Sequence, residues 1–222
     1  MPEAPLTPAK RRIETDPGGL DAPDRAEFVE LGVASCFSFL RGACDAVDLV
    51  TTARALGYDA LGIADANSMA GVVRLHSEAK ALKLRPVIGC RIETVEGLAF
   101  LAYPVDRAAY GRLCRLISAG RMQTLDGEWQ DKGACEISLG MLAEHAEGLQ
   151  LILIAPRDMR QEFTIEIESN VVEFPLECGK EEKMTSREAL AASFPDMIPH
   201  LAARLPTLKH IAASHLYHGD DV

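Results

Sequence analysis

No stretch of this chain stays apolar for the roughly 18 residues that a bilayer crossing needs. The first 25 residues, MPEAPLTPAKRRIETDPGGLDAPDR, hold no apolar core of a secretion signal. A soluble, unexported, cytoplasmic protein is the expectation. Basic charge is scarce: 23 Lys and Arg against 33 Asp and Glu leave a net charge of -10. No broad face for neutralising DNA or RNA phosphates is expected from that balance. Cysteine pairing motifs are missing as well. Cys36, Cys44, Cys90, Cys114, Cys135 and Cys178 include no C-x-x-C pair, and several sit in apolar runs, the pattern of reduced thiols packed as small hydrophobes. The chain also lacks G-x-x-x-x-G-K-[ST], G-x-G-x-x-G and G-x-S-x-G. Nucleotide-cradling loops and hydrolase elbows are therefore unsupported.

What is present is one ordinary globular domain's worth of apolar residues, 48% of 222. Residues 1 to about 25, rich in Pro, Gly and charge, read as a flexible lead-in, with structure starting near Glu27. Beyond it, apolar runs alternate with helical spacing. FVELGVA (28–34) reads as a strand, Ala46, Leu49, Val50, Ala53 and Leu56 as a helix face stopped by Gly57, and DALGIAD (59–65) as the next strand. A helix over 69–82, a strand over 85–93 and a strand over 98–104, antiparallel to it through TVEG, follow. Asp106 caps a helix to about Gly120, and Ser138 caps a short helix over 138–147. LQLILIA (149–155) reads as a fully buried strand. Residues 158–184 break the rhythm with the acidic FTIEIESNVVEF, suggesting an edge hairpin or insertion. A helix from about Ser186 to Arg204, interrupted by Pro195 and Pro199, leads into a last strand in LKHIAASHLY. Apolar strands separated by helices predict an α/β architecture, a parallel sheet covered on both sides, preferably a barrel.

Reactive groups of such folds collect at the C-terminal ends of strands. The first strand end offers Ser35, Cys36 and Ser38 without a histidine or carboxylate. The second offers Asp65 beside Ala66, and the third offers Arg91, which repels cations, with Glu93 two residues on. Metal-assisted hydrolysis needs several converging His, Asp or Glu side chains, and Asp65 and Glu93 alone do not supply them. The densest polar cluster is HIAASHLYHGDD, where His215 and His218 have the composition of a zinc clamp completed by Asp220 or Asp221. The plainer reading is preferred: His210 opens a strand, His215 and Tyr217 share a face, and the rest is a polar loop. His76 and His145 fall on helices, away from any strand end that carries Cys36 or Ser38, so nucleophilic catalysis lacks its base.

FSFLRGA (37–43), LVTTARALGYDALGIADANSMAGVVRLHSEAKALKLRPVIGCRIE and FLAYPVDRAAYGRLCRLISAGR together resemble the N-terminus of bacterial error-prone DNA polymerases, relatives of the DNA polymerase III alpha subunit. The resemblance runs from about Phe28 to Pro156 and returns in LAARLPTLKHIAASHLYHGDD. It implies a PHP domain, a distorted (β/α)7 TIM-like barrel incomplete at its C-terminus, spanning 26–222 with 158–184 divergent. Active members of that family resemble phosphoesterases holding up to three metals. Their His-x-His falls on Gly32 and Ala34, their Asp-His on Asp65 and Ala66, and a glutamate on Arg91. Only Asp65 keeps a ligand, so no metal is expected, with Asp65 and Glu93 as vestigial candidates. The bend is then expected to be structural: Phe37 and Phe39 pack across the barrel mouth, Arg41 bonds loop carbonyls, and Gly42 permits the turn into a helix. The resemblance further implies a parent enzyme whose palm, absent from these residues, uses Mg²⁺. That enzyme works with a sliding clamp and accessory mutagenesis proteins and reaches DNA through its polymerase body. An independent metal-dependent phosphoesterase is the alternative.

Overall fold

The computed structural model describes residues 28–156, 158–169 and 186–212. In chain order its elements are α1 (Ala46–Ala55), β1 (Ala60–Ala66), α2 (Val72–Ala81), β2 (Arg85–Glu93), β3 (Ala99–Pro104), α3 (Arg107–Met122), α4 (Leu139–His145), β4 (Leu149–Ile154), β5 (Glu162–Ser169), β6 (Ser186–Ser193), α5 (Phe194–Arg204) and β7 (Leu208–Ala212). Local chemistry starts α1, α3 and α4 where the sequence predicts. The Asp45 carboxylate accepts from Ala46 N, Asp106 from Ala109 N and Ser138 from Met141 N, satisfying amides that have no partner inside the helix. Glu96, in the turn between β2 and β3, adds a second cap on α4 by accepting from Leu139 N at 2.8 Å.

The main sheet is mixed, in the order β1-β2-β3-β4-β7. β1 and β2 run parallel, as do β4 and β7, while β3 is antiparallel to both its neighbours. The antiparallel β2–β3 hairpin expected through TVEG is present, and the further antiparallel pairing of β3 with β4 makes mixed what was otherwise expected as a parallel sheet. FVELGVA forms a bridge only at Val33, opposite Ile63, although Gly62 N donates to Glu30 O and Ala64 N to Val33 O along the same edge. Among the described residues, no pairing closes this sheet into a barrel.

Helices lie on one face. Leu61 and Ile63 pack with α1 and α2, whereas Cys90, Ile92, Phe100, Ala102, Leu151 and Leu153 pack with α3, α4 and α5. The opposite face carries a small cluster, Ala64, Leu101 and Tyr103, flanked by Leu31, Val87, Ile152 and Ile154. The two-sided burial predicted for β4 therefore gives way to alternation: Leu149, Leu151 and Leu153 are buried, Gln150 is exposed, and Ile152 and Ile154 are half-covered.

The sheet is strongly curved. Tyr103 on β3 donates its hydroxyl to the carbonyl of Leu31, which lies beyond β2 and β1. In a flat sheet those strands would be roughly 14 Å apart, three spacings of about 4.8 Å, well beyond a tyrosine side chain. The ring crosses β2 over Gly89, where a Cβ would stand 2.4 Å from it. Burial raises the Tyr103 phenol far above its ordinary range, with Glu30 adding to the effect.

Residues Ser186–Ser193, expected as the start of a helix, form β6 and pair antiparallel with β5 from Glu162↔Ser193 to Ser169↔Ser186. The helix begins only at Phe194, with Pro195 in its first turn, a position that needs no amide donor, and Pro199 inside it. The ribbon takes its first strand from the 158–184 stretch read as an edge hairpin or insertion, of which residues 170–184 lie outside those described.

Candidate functional site

The site begins where β1 ends. Asp65 pairs in register with Cys90, so its side chain lies on the helix-covered face, and it is 1% exposed. A buried carboxylate must have its lone pairs filled, and the bend at 35–38 fills them. Ser35 N donates to Oδ1 at 2.7 Å, Ser38 Oγ to Oδ1 at 2.6 Å and Ser35 Oγ to Oδ2 at 2.8 Å. The serines act in both directions, since Ser38 Oγ also accepts from Ala66 N and Ser35 Oγ from Phe37 N. Gly71, ahead of α2, closes the space: a Cβ there would meet Asp65 Oδ2 at 2.6 Å and Ser35 Oγ at 2.7 Å.

Two serines three apart turn inward, so the residues between and after them turn outward. Phe37 is 43% exposed, Phe39 86% and Leu40 91%. The expected packing of Phe37 and Phe39 across a barrel mouth is thus corrected. Gly42 admits the bend by its size: a Cβ would lie 2.2 Å from Ser35 O and 2.5 Å from Ala34 O. The left-handed position is Leu40, at φ 62°.

Arg41 reaches the opposite face of the sheet edge, where its partner is a carboxylate rather than the loop carbonyls expected. Its Nη2 lies 2.6 Å from Glu93 Oε1, the oxygen that also accepts from Arg91 Nε at 2.9 Å. Arg91 pairs in register with Leu101 of the inner cluster. Glu93, two residues on, shares that face and stands across the sheet from Asp65. Asn67, at φ 44°, fastens the β1 end to this corner, its side chain bonding Glu93 N and Glu93 O. A cavity of about 290 Å³ opens beside Arg91, with walls including Leu98, Ala99, Ile154 and Phe163. Among the described residues, Arg91 is the one ionisable side chain lining it.

The sequence singled out Asp65 and Glu93 as candidates for one site, whereas the fold holds them on opposite faces with separate partners. Ser35 and Ser38 were seen at the first strand end but not as the groups that occupy Asp65. The available signal was their three-residue spacing inside a bend closed by Gly42, beside a strand ending in aspartate. His215, His218, Asp220 and Asp221 lie outside the described residues. Among the described ones, no group of three His, Cys, Asp or Glu side chains converges.

Cys90 sits between the two faces' end residues, with Sγ 3.2 Å from Asp65 O and 3.5 Å from Ser68 O. Burial pushes its thiol up to about 12, opposed in part by the Ser68 hydrogen bond. Thiolate, not thiol, is the nucleophile. Alkylation at pH 8 followed by peptide mass mapping is expected to modify the exposed Cys36 and Cys44 and to leave Cys90 unmodified until the protein unfolds. Because the folded thiol titrates above the unfolded value of 9.0, its contribution to stability is complete below pH 9 and declines as pH rises toward 12.

A family model described as PHP domain matches residues 30–171. The chain belongs to the PHP domain family. Relatives of this PHP domain include the error-prone DNA polymerase of Allorhizobium ampelinum, 43% identical over 127 residues, which cover 57% of this chain and 11% of that protein. The error-prone DNA polymerase of Rhodopirellula baltica is 43% identical over 133 residues, 60% of this chain and 11% of that protein. Error-prone DNA polymerase 3 of Agrobacterium fabrum is 53% identical over 94 residues, 42% and 9% of the two chains. The PHP chain thus matches about a tenth of each relative's length. Among solved structures, a Bifidobacterium adolescentis protein assigned as a metal-dependent phosphoesterase superposes with TM-score 0.51 at 13% identity, covering 86% of this chain and 78% of that one. That likeness concerns the fold, a mixed α/β arrangement.

Among the described residues, those at the positions where the resemblance places metal ligands do not fit a cluster of cations. Gly32, Ala34 and Ala66 bring no side-chain donor, and Arg91 brings a positive charge. Asp65 has both oxygens engaged by serines, and Glu93 is held by two guanidinium groups.

Proposed function

We propose that this chain is the N-terminal PHP-domain part of an error-prone, translesion DNA polymerase, serving as a non-catalytic scaffold for the polymerase body. The observation that carries this reading is the identity of 43% to 53% with proteins named error-prone DNA polymerase. The Asp65–Ser35–Ser38 knot supports the non-catalytic half of it, because it converts the retained ligand position into a brace for the adjoining bend. The domain is proposed to occupy 26–222 as most of a distorted (β/α)7 barrel. The curvature recorded by Tyr103 and the placement of helices on one face favour that architecture.

In the parent enzyme, nucleotidyl transfer falls to a palm in which carboxylates hold two Mg²⁺ ions for in-line displacement. DNA reaches that centre through the polymerase body, since a domain in a chain of net charge -10 has little to offer phosphates. A cytoplasmic location, a sliding clamp and accessory mutagenesis proteins complete the proposal, and no helix among the described residues is long and apolar enough to cross a membrane.

Incubation with p-nitrophenyl phosphate and Mn²⁺ tests the scaffold reading: no release of p-nitrophenol above the buffer rate is expected. Turnover that His215→Ala abolishes would replace the scaffold with a metal-dependent phosphoesterase. Reading the DNA after codon 222 tests the parent. An open frame continuing into an acidic palm motif is expected, and a stop followed by unrelated sequence would remove the polymerase assignment.

A further inference from the structure

We propose that Phe37, Phe39 and Leu40 form a preorganised docking knob that seats in an apolar pocket on the polymerase body of the parent enzyme. The inference rests on the polymerase reading above and names the surface through which the scaffold acts.

The starting point is a residue in the wrong conformation for its type. Leu40 has φ 62°, a region that glycine enters freely and that a branched aliphatic side chain enters at a cost. It is also 91% exposed and follows Phe39, which is 86% exposed. Glycine or asparagine would suit the backbone better, and a polar residue would suit the water. Leucine is unfavourable on both counts among the described residues, so the reason for it lies beyond them. Strain of this kind persists where surrounding structure over-determines it, and it concentrates at contact and switch regions.

The over-determination is visible on both sides of the knob. Upstream, Ser35 and Ser38 are tied to the buried Asp65. Inside it, Arg41 N and Gly42 N both donate to Ser38 O, at 3.0 and 2.9 Å. Downstream, the Arg41 side chain is held by Glu93, and Gly42 rests against the backbone of Ala34 and Ser35. The tip is therefore a stiff projection rather than a floppy loop. Ordering costs on association fall when a contact surface is already held in its bound shape. Aromatic and large aliphatic anchors entering a pocket are what carry the energy of such interfaces.

The occupant follows from the comparisons and the charge. In the matched relatives about nine-tenths of the protein lies outside the matching segment, so a PHP domain of this kind has a large neighbour in the same chain. A second copy is the poorer partner, because it would bring together two chains of net charge -10.

The test co-expresses the intact chain, tagged, with the polymerase portion of the Allorhizobium ampelinum enzyme and measures how much polymerase is recovered with the tag. Phe39→Ser and Leu40→Gly are compared with the unaltered chain. Recovery by the unaltered chain, with at least a tenfold loss for both variants, is expected. Their thermal midpoints should not fall below that of the unaltered chain, since the altered side chains face water and glycine relaxes position 40. Equal recovery with all three proteins overturns the knob while leaving the polymerase reading in place. No recovery with the unaltered chain overturns the polymerase reading itself. Self-association in sedimentation that both variants abolish, without polymerase recovery, makes a second copy the occupant and likewise overturns the proposal.

Discussion

Alanine at position 42 is expected to lower the thermal midpoint by roughly 6–12 °C. A Cβ at this position would stand 2.2 Å from Ser35 O, 2.5 Å from Ala34 O and 2.6 Å from Ser35 C. All three are backbone atoms, so no side chain can swing away to make room. Relief requires the 34–36 segment to move outward, and that segment carries Ser35, whose amide and hydroxyl hold Asp65. The clash and the damaged hydrogen bonds are therefore one event, costing about 3 kcal/mol or more. Chains of this size lose about 2–4 °C per kcal/mol. Gly111→Ala supplies the contrast in the same experiment. Gly111 lies inside α3, and its added Cβ would meet Arg115 Nη1 no closer than 3.6 Å. Removing a flexible residue from a helix interior with room for a methyl group is expected to raise stability by up to about 1 kcal/mol. Similar losses from both substitutions would mean that the bend is not packed as described.

This contrast also explains which parts of the molecule could be read from the residues alone. Elements governed by local chemistry were legible. Asp106 and Ser138 were recognisable caps because the preference for an oxygen side chain before a helix depends on a few neighbouring amides. The β2–β3 hairpin was recognisable because two apolar runs flank a short turn containing glycine. Gly42 was assigned to the same bend, but for conformational freedom rather than for the absence of a Cβ, since the nearby backbone belongs to a segment seven residues earlier. The helix expected over Ser186–Ser193 gives way to a strand for a related reason. SREALAAS has good helical propensity, and its strand state comes from pairing with β5, a tertiary contact that propensity cannot register.

The candidate site divided along the same line. That Asp65 stands at a strand end could be read from DALGIAD, but its face follows from the β1–β2 register, in which it opposes Cys90. A shift of one residue would have placed it beside Arg91 and Glu93. The outward turn of Phe37 and Phe39 follows in turn from the inward turn of Ser35 and Ser38, and no hydrophobicity pattern within FSFLRGA encodes it.

The Asp65 knot gives the second large prediction and separates a brace from a metal ligand. In Asp65→Ala, Ser35 N and both serine hydroxyls lose their acceptor inside a region closed to water. Buried groups stranded in this way cost about 1–3 kcal/mol each, and because deleting the buried carboxylate also removes its own desolvation penalty, the three losses stay at the lower end. A total near 3–4 kcal/mol is expected, read as a thermal midpoint lower by roughly 6–16 °C at about 2–4 °C per kcal/mol. Asp65→Asn should be far milder, near 1 kcal/mol. Its carbonyl oxygen still accepts from Ser35 N and Ser38 Oγ, and its NH₂ group meets Ser35 Oγ, whose hydroxyl can rotate to accept. A cation would distinguish the two differently, because an amide is a poor replacement for a carboxylate ligand and both substitutions would abolish binding. The expected pattern is thus a steep alanine loss, a shallow asparagine loss, and no change in either when Mn²⁺ is added before melting. Equal losses that appear only in the presence of Mn²⁺ would return Asp65 to the role of ligand.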